Sequence, residues 1–203
     1  MTLVNNQLVN KIIPALIITL FLGFSLQAQQ LSFALAAESS ITIEGTSTFH
    51  DWTAKVGEFS GTLALAKPFD AAKHKKLAVD KVDLSFQAES IDGGRGAAMN
   101  KKIRGALKSS EHPAITFSIA ESQTLKIADG KMTVAGALQM AGVTKDVSLE
   151  LEAKPDEPMA FTAKYPMKLS TFEIEPPSAM FGQIVTGDDI TIVFDLKFSA
   201  ANN

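Results

Sequence analysis

Ile190-Thr191-Ile192-Val193-Phe194-Asp195-Leu196-Lys197-Phe198-Ser199 is the stretch whose reading decides the fold. Ile190, Ile192, Phe194, Leu196 and Phe198 occupy every second position, with Thr191, Val193, Asp195, Lys197 and Ser199 between them. Successive side chains of an extended strand point to opposite faces, so this spacing gathers the apolar set on one side. A helix would scatter the same set around its circumference. The segment reads as a strand with one buried and one largely wet face, the signature of an antiparallel sheet.

The same parity recurs upstream. It appears in Val82, Leu84, Phe86 and Ala88; in Ile115, Phe117 and Ile119; and in Met132, Val134, Gly136, Leu138 and Met140. Val147, Leu149 and Leu151 follow it, as do Phe161, Ala163, Tyr165, Met167 and Leu169. Two further strands are expected from Ile41 to Glu44 and within Thr46 to Ala66, where Gly57 and Gly61 suggest a turn followed by a bulge or close backbone approach. Asp129-Gly130 is a strong hairpin signal, because both residues tolerate the positive φ of a tight turn. Gly142 with Thr144, then Pro155 with Pro158, mark the next reversals. About eight antiparallel strands with one apolar face must hide those faces together, in a sandwich or by closing the sheet into a barrel. At that strand number a barrel is either filled by its own side chains or encloses one small ligand.

One segment breaks the alternation. Gly96 to Lys108 (GAAMNKKIRGALK) spaces Met99, Ile103, Ala106 and Leu107 by threes and fours, with Lys101, Lys102, Arg104 and Lys108 around them. This predicts a short amphipathic helix that caps an opening or packs on a sheet. Asp70 to Lys76 reads as a solvated loop, and Asp92-Gly93-Gly94-Arg95-Gly96 as a flexible connection without the spacing of a phosphate loop.

The N-terminus has a different character. Lys11 is the one charge before Glu38; the apolar run Ile12 to Leu26 follows it, and Ala34-Leu35-Ala36-Ala37 comes next. That order reads as a secretory signal peptide over residues 1–37, cleaved after Ala36 or Ala37, with Ala28 as an earlier alternative. An uncleaved membrane anchor is the competing reading, weakened by Pro14, Gly23 and the glutamines at 27, 29 and 30. The expected mature domain spans residues 38–203, periplasmic or secreted, with no stable transmembrane anchor after processing.

Composition narrows function. With 19 Lys and Arg against 22 Asp and Glu, the net charge of -3 leaves no footprint for a nucleic acid partner. Cysteine is absent, which removes disulfides, thiolate metal sites, cysteine nucleophiles and the lipidated cysteine of a lipoprotein. The histidines, His50, His74 and His112, show no metal-ligand spacing, so no metal site and no catalytic residue is expected. Ser47-x-x-His50-Asp51 carries almost no specificity for a hydrolase, since triad members meet through the fold. His50 is expected to be a strand residue whose imidazole satisfies a nearby backbone or hydroxyl group. Trp52, the sole tryptophan, is expected in the core.

Several fragments in series resemble the YceI-like family of polyisoprenoid-binding proteins. They are Gly45-Thr46-Ser47-Thr48-Phe49-His50-Asp51-Trp52, Phe59-Ser60-Gly61-Thr62-Leu63, Met99-Asn100-Lys101-Lys102-Ile103 with Leu107, His112-Pro113-Ala114-Ile115-Thr116-Phe117, Gly136-Ala137-Leu138 with Gly142-Val143-Thr144-Lys145, and Pro176-Pro177 to Gly187-Asp188. The resemblance implies an all-β fold: an extended, antiparallel, eight-stranded lipocalin-like β-barrel with one short helix between strands, exported to the bacterial periplasm. It also implies a ligand, an isoprenoid chain such as a quinone tail or a similar amphiphile along the barrel axis, and no cofactor of the catalytic kind. The Ser-x-x-His-Asp-Trp form of the first motif belongs to a separate branch of that resemblance.

Candidate lining residues are Phe86, Phe117, Leu138, Met140, Phe172, Ile174 and Phe194, with Met99, Ile103, Leu107, Met180 and Phe181 around an opening. Ordinary core packing is the alternative for each. The leading reading is periplasmic binding, sequestration or transport of such a lipid. A ligand-free stress-protective or protein-interaction β-domain is the rival, and an enzyme acting on a small amphiphile through His50 and Asp51 the third. A homodimer is left open.

Overall fold

The computed structural model describes residues 31–201 except 72 and 158. Its strands are β1 (Leu31–Leu35), β2 (Ser40–Ser47), β3 (Trp52–Val56), β4 (Phe59–Leu65), β5 (Lys76–Gln87), β6 (Ile91–Asp92) and β7 (Ala114–Ser118). They continue as β8 (Gln123–Lys126), β9 (Lys131–Met140), β10 (Val143–Ala153), β11 (Ala160–Lys168), β12 (Ser178–Ala179) and β13 (Ile184–Ala200). One α-helix, α1 (Ala97–Ala106), stands between β6 and β7.

Neighbour follows neighbour in the order β1, β4, β5, β7, β9, β10, β11, β13, and β13 pairs back to β1. Every pairing is antiparallel, so the sheet closes on itself as an eight-stranded barrel. Closure leaves no open edge in the ring. The remaining short strands arise from bends. β13 is long enough to pair with β2 from Thr186 to Asp195 and with β1 from Phe198 to Ala200. Between β1 and β2 the chain bulges, and buried Ser39 fills the gap: its hydroxyl donates to the Lys197 carbonyl at 3.2 Å and accepts the Lys197 N–H at 3.0 Å. β3 and β4 bend at Gly57-Glu58, and β5 and β6 at the 3₁₀ turn Ala88–Ser90. Those bends meet: the Gly57 N–H donates to the Ser90 carbonyl and the Glu58 N–H to the Ser90 hydroxyl. The breaks thus fall on three adjacent strand lines, and β2, β3 and β6 continue the barrel wall beyond them, paired in the order β13, β2, β3, β6.

The tight turns follow the local chemistry read from sequence. Asp129 and Gly130 take φ of 51° and 78°, and Ala141 and Gly142 take 50° and 85°, the left-handed pairs that join right-twisted strands closely. Inward-facing residues of seven ring strands form one continuous apolar core, from Leu63, Val82 and Phe117 to Val134, Leu149, Ala163 and Phe194, and Leu31, Phe33 and Leu35 of β1 pack half-buried against it. The alternation expected for β5, β7, β9, β10, β11 and β13 holds in register.

Most of the segment read as a leader lies outside the described residues, but Leu31–Leu35 does not: it is β1, a member of the ring. The barrel thus begins before the expected domain start at residue 38. The short strands β6, β8 and β12 were likewise not expected, because two to four residues are too few to show a period. Among the described residues no helix is long and apolar enough to cross a membrane.

Candidate functional site

The inward faces do not fill the barrel. They enclose a cavity of about 340 Å³, within the size range of lipid and small-molecule sites. At one extreme its wall is Leu77, Leu125, Phe161, Leu196 and Phe198; at the other it reaches Arg95, Lys102, Ser178, Ile184 and Thr186. Ile184 and Phe198 lie at the two ends of β13, so the wall follows that strand over about 45 Å of contour at ~3.3 Å per residue. The site is an elongated channel.

Its wall is almost wholly aliphatic and aromatic. Polar side chains collect at the mouth: Ser47, His50, Arg95, Lys102, Ser178 and Thr186. Deeper in, Tyr165 on β11 shares the inward parity of Ala163 and Met167, and burial raises the pKa of its phenol. That hydroxyl stays protonated through the neutral range. An apolar channel with polar groups at one end suits a molecule with a long hydrocarbon tail and a polar head.

Helix α1 forms part of the mouth. Met99, Ile103, Ala106 and Leu107 face the channel, while Lys101, Arg104 and Lys108 are exposed. The glycine segment before it is fixed rather than flexible. Asp92 accepts hydrogen bonds from the Gly94 N–H at 2.9 Å and from the Asn100 amide at 3.0 Å, and the Asn100 oxygen accepts the Gly93 N–H at 3.0 Å. These contacts, the backbone amide first, hold the Asp92 carboxyl below its usual range. Gly93 has no side chain because Met99 and Ile103 press against it; a Cβ there would lie 3.0 Å from both. On the other side of the mouth Asp188 accepts from the Ser170 hydroxyl at 2.7 Å and its N–H at 2.8 Å, fixing the 3₁₀ turn Leu169–Phe172 and lowering the Asp188 pKa.

Phe86, Phe117, Leu138, Met140, Ile174 and Phe194 stand in the channel wall, and Met99, Ile103 and Leu107 beneath the helix. Three expected residues are placed otherwise. Phe172 is completely buried in the core and is not part of the wall, because its 3₁₀ turn folds it under the barrel end. Met180 and Phe181 are exposed at the rim instead of lining the opening; both take left-handed backbone angles that turn the tip outward. The wall also holds Leu84 and Tyr165 from the inward strand sets, and Ile43, Ala54 and Ile91, which lie outside them. Strand parity marks Leu84 and Tyr165 as inward; nothing in the sequence separates a channel wall from a filled core.

His50 sits in the bend between β2 and β3 rather than in a strand. Ser47 donates its hydroxyl hydrogen to the His50 carbonyl at 2.8 Å and accepts the His50 N–H, so these two residues build a turn and no nucleophile-base pair. The His50 ring nitrogen Nδ1 lies 2.7 Å from the Asp51 carbonyl. Trp52 is half-buried against the channel, with its indole N–H donated to the Thr46 carbonyl at 2.8 Å and its ring over Gly45. Among the described residues no group of three or more histidine and carboxylate side chains is placed to hold a metal.

Known proteins share this chain's pattern. The family model of the YceI-like domain matches residues 34–198. Protein YceI of Salmonella newport is 30% identical over 167 residues, 75% of this chain and 85% of that protein. Protein YceI of Escherichia coli O157:H7 is 30% identical over 154 residues, 70% and 78% of the two chains. Among solved structures, Burkholderia cenocepacia BcnA superposes with a TM-score of 0.62 at 19% identity, covering 81% of this chain and 98% of its own. A polyisoprenoid binding domain from Saccharophagus degradans does so with 0.54 at 15% identity, covering 84% and 99%.

Proposed function

The chain belongs to the YceI-like domain family, and from that premise together with the open channel we propose that it binds a long-chain isoprenoid or similar amphiphilic lipid in the bacterial periplasm, sequestering or carrying it without chemistry of its own. The observation that carries this reading is the apolar channel itself, about 340 Å³ walled by inward strand faces. Each methylene moved from water to such a wall gains roughly 0.8 kcal/mol, so a long tail binds well with no specific hydrogen bond. The distribution of polar groups sets the orientation: the tail occupies the channel, and a quinone or other polar head stays at the mouth near Arg95 and Lys102. The structural likeness to a polyisoprenoid binding domain supports the same ligand class. A ligand-free interaction domain would fill its interior with its own side chains, and the channel weighs against that.

Native mass spectrometry and solvent extraction of the protein purified from a bacterial periplasm test this. A co-purifying molecule with a long apolar tail, released by solvent, is the expected result. A protein that carries none and takes up no added polyprenyl quinone overturns the reading.

A further inference from the structure

The large apolar side chains that stand exposed among the described residues are Phe49, Met180, Phe181 and Val185. Scattered exposed apolar residues are ordinary on a protein surface, but these four share one end of the barrel. Phe49 is at the tip of the β2–β3 turn, Met180 and Phe181 are in the segment leading into β13, and Val185 is at the start of β13. The two loops are stitched together: the Thr48 N–H donates to the Val185 carbonyl at 3.0 Å, the Val185 N–H to the Thr48 hydroxyl at 3.2 Å, and that hydroxyl to the Gln183 carbonyl at 3.2 Å. Phe181 is fully exposed, and both it and Met180 hold φ near +50°, a conformation that non-glycine residues adopt at a cost. The chain spends strain on presenting these side chains outward while an apolar channel opens beside them.

The helix side of the mouth is basic, while the carboxylates Asp92 and Asp188 at the mouth are each engaged in hydrogen bonds. From Gly93 to Ser110 there are Arg95, Lys101, Lys102, Arg104 and Lys108 and no acidic residue, in a chain whose net charge is -3. None of these cations enters an ion pair among the described residues. Lys102 reaches across to the Ser178 carbonyl at 2.5 Å, so the basic helix and the apolar loop form one rim. Asp51 is the acidic residue of the two loop tips.

From this pairing we infer that the mouth docks on an anionic lipid bilayer, with Phe49, Met180 and Phe181 entering the headgroup boundary and the cations of α1 contacting anionic headgroups. Apolar tips plus adjacent cations are the two components of interfacial membrane binding. The docked pose aims the channel opening at the membrane, so a tail passes from bilayer to barrel without crossing water. The inference rests on the lipid-carrier reading for its purpose, but its geometry is tested separately.

Flotation with vesicles of phosphatidylcholine containing 30% phosphatidylglycerol is the test. The full protein should float with these vesicles, bind pure phosphatidylcholine at least about tenfold more weakly, and release in high salt as screening predicts. A Phe49→Ser, Phe181→Ser variant and a Lys101→Glu, Lys102→Glu variant should each lose at least about tenfold in binding while keeping the wild-type circular dichroism spectrum. Absence of vesicle binding by the wild type, or binding unchanged in both folded variants, overturns the proposal. So does a self-association that disappears in the Phe49→Ser, Phe181→Ser variant, which would give this surface to a second copy. A protein that yields an extractable lipid yet ignores vesicles refutes docking alone; one that floats with vesicles but never holds a tail refutes the carrier reading alone.

Discussion

The ring of Phe117 occupies the space that a side chain on Gly136 would need: a Cβ at Gly136 would lie 2.6 Å from Phe117 Cζ. The two residues are diagonal neighbours on paired strands, since Phe117 pairs with Leu138 and Ser118 with Ala137. Gly136 keeps the inward parity of β9 without adding bulk, which lets an aromatic ring from β7 lie flat across it. Gly136→Ala should destabilise the barrel by roughly 1–3 kcal/mol, the usual cost of overpacking a closed core. The Ser118 carbonyl, also 2.6 Å from that Cβ, keeps relief by side-chain motion alone from being complete. Urea unfolding of Gly136→Ala, Phe117→Leu and the double variant checks this; the double should recover part of the loss, and strict additivity would show that the ring is not the obstacle.

Asp92 and Asn100 tie α1 to the end of the sheet, so Asn100→Ala should loosen the helix at the mouth without unfolding the barrel. Amide hydrogen exchange over Ala97–Ala106 should speed up while β9 and β10 stay protected, and a loaded channel should release its ligand faster. The pH dependence has a definite sign. The Asp92 carboxyl is held below its ordinary value of ~3.9 by the Gly94 amide and Asn100, so its contribution is complete above that value and is lost as pH falls through the lowered folded pKa. Helix protection should therefore be flat from neutral pH to about pH 5 and fall only in stronger acid. A loss between pH 7 and 5 would assign the anchor to another group.

Tyr165 places one hydroxyl in an otherwise apolar stretch of wall, and among the described residues it makes no hydrogen bond. A hydrocarbon tail passing that point must strip water from the hydroxyl without replacing it. Tyr165→Phe should accordingly raise the affinity for a purely apolar chain, by about 0.5–1.5 kcal/mol if one hydrogen bond to water is at stake. Competition with a fluorescent polyene measures it. A weaker affinity in the variant would mean that the hydroxyl receives a polar group of the ligand, and that the head, not the tail, enters first.

Strand parity made the ring legible because each ring strand buries one face against the same interior, which writes a period of two into Val82–Phe86, Met132–Met140 and Ile190–Phe198. The bends were legible only in part. Gly57 marked one of them, because a glycine between two alternating runs signals a turn; Ser39 and Ser90 act through hydroxyl hydrogen bonds to backbone groups far away in sequence, and no local pattern marks them. The channel was half legible. Phe117 and Phe172 are both apolar residues in strand-like surroundings, yet one lines the cavity and the other is sealed in the core, since the difference lies in how a 3₁₀ turn closes the barrel end. Met180 and Phe181 read as residues around an opening, and their outward exposure there follows from backbone angles that composition does not reveal.

If a leader is cleaved from this chain, β1 limits where the cut can fall. Leu31, Phe33 and Leu35 lie between two strands, with Leu31 opposite Leu65, Phe33 opposite both Leu63 and Ala200, and Leu35 opposite Phe198. Removing residues 1–36 or 1–37 would take β1 out and leave the facing edges of β4 and of the end of β13 unpaired, which invites association through those edges. A leader cut upstream of Leu31 avoids this, and Ala28 supplies the small residue such a cut requires. Intact-mass measurement of the periplasmic protein should show an N-terminus upstream of Leu31, and a chain started at Glu38 should unfold at lower urea and self-associate. A folded, monomeric exported protein starting at Ala37 or Glu38 would show instead that β4 and β13 close the ring without β1.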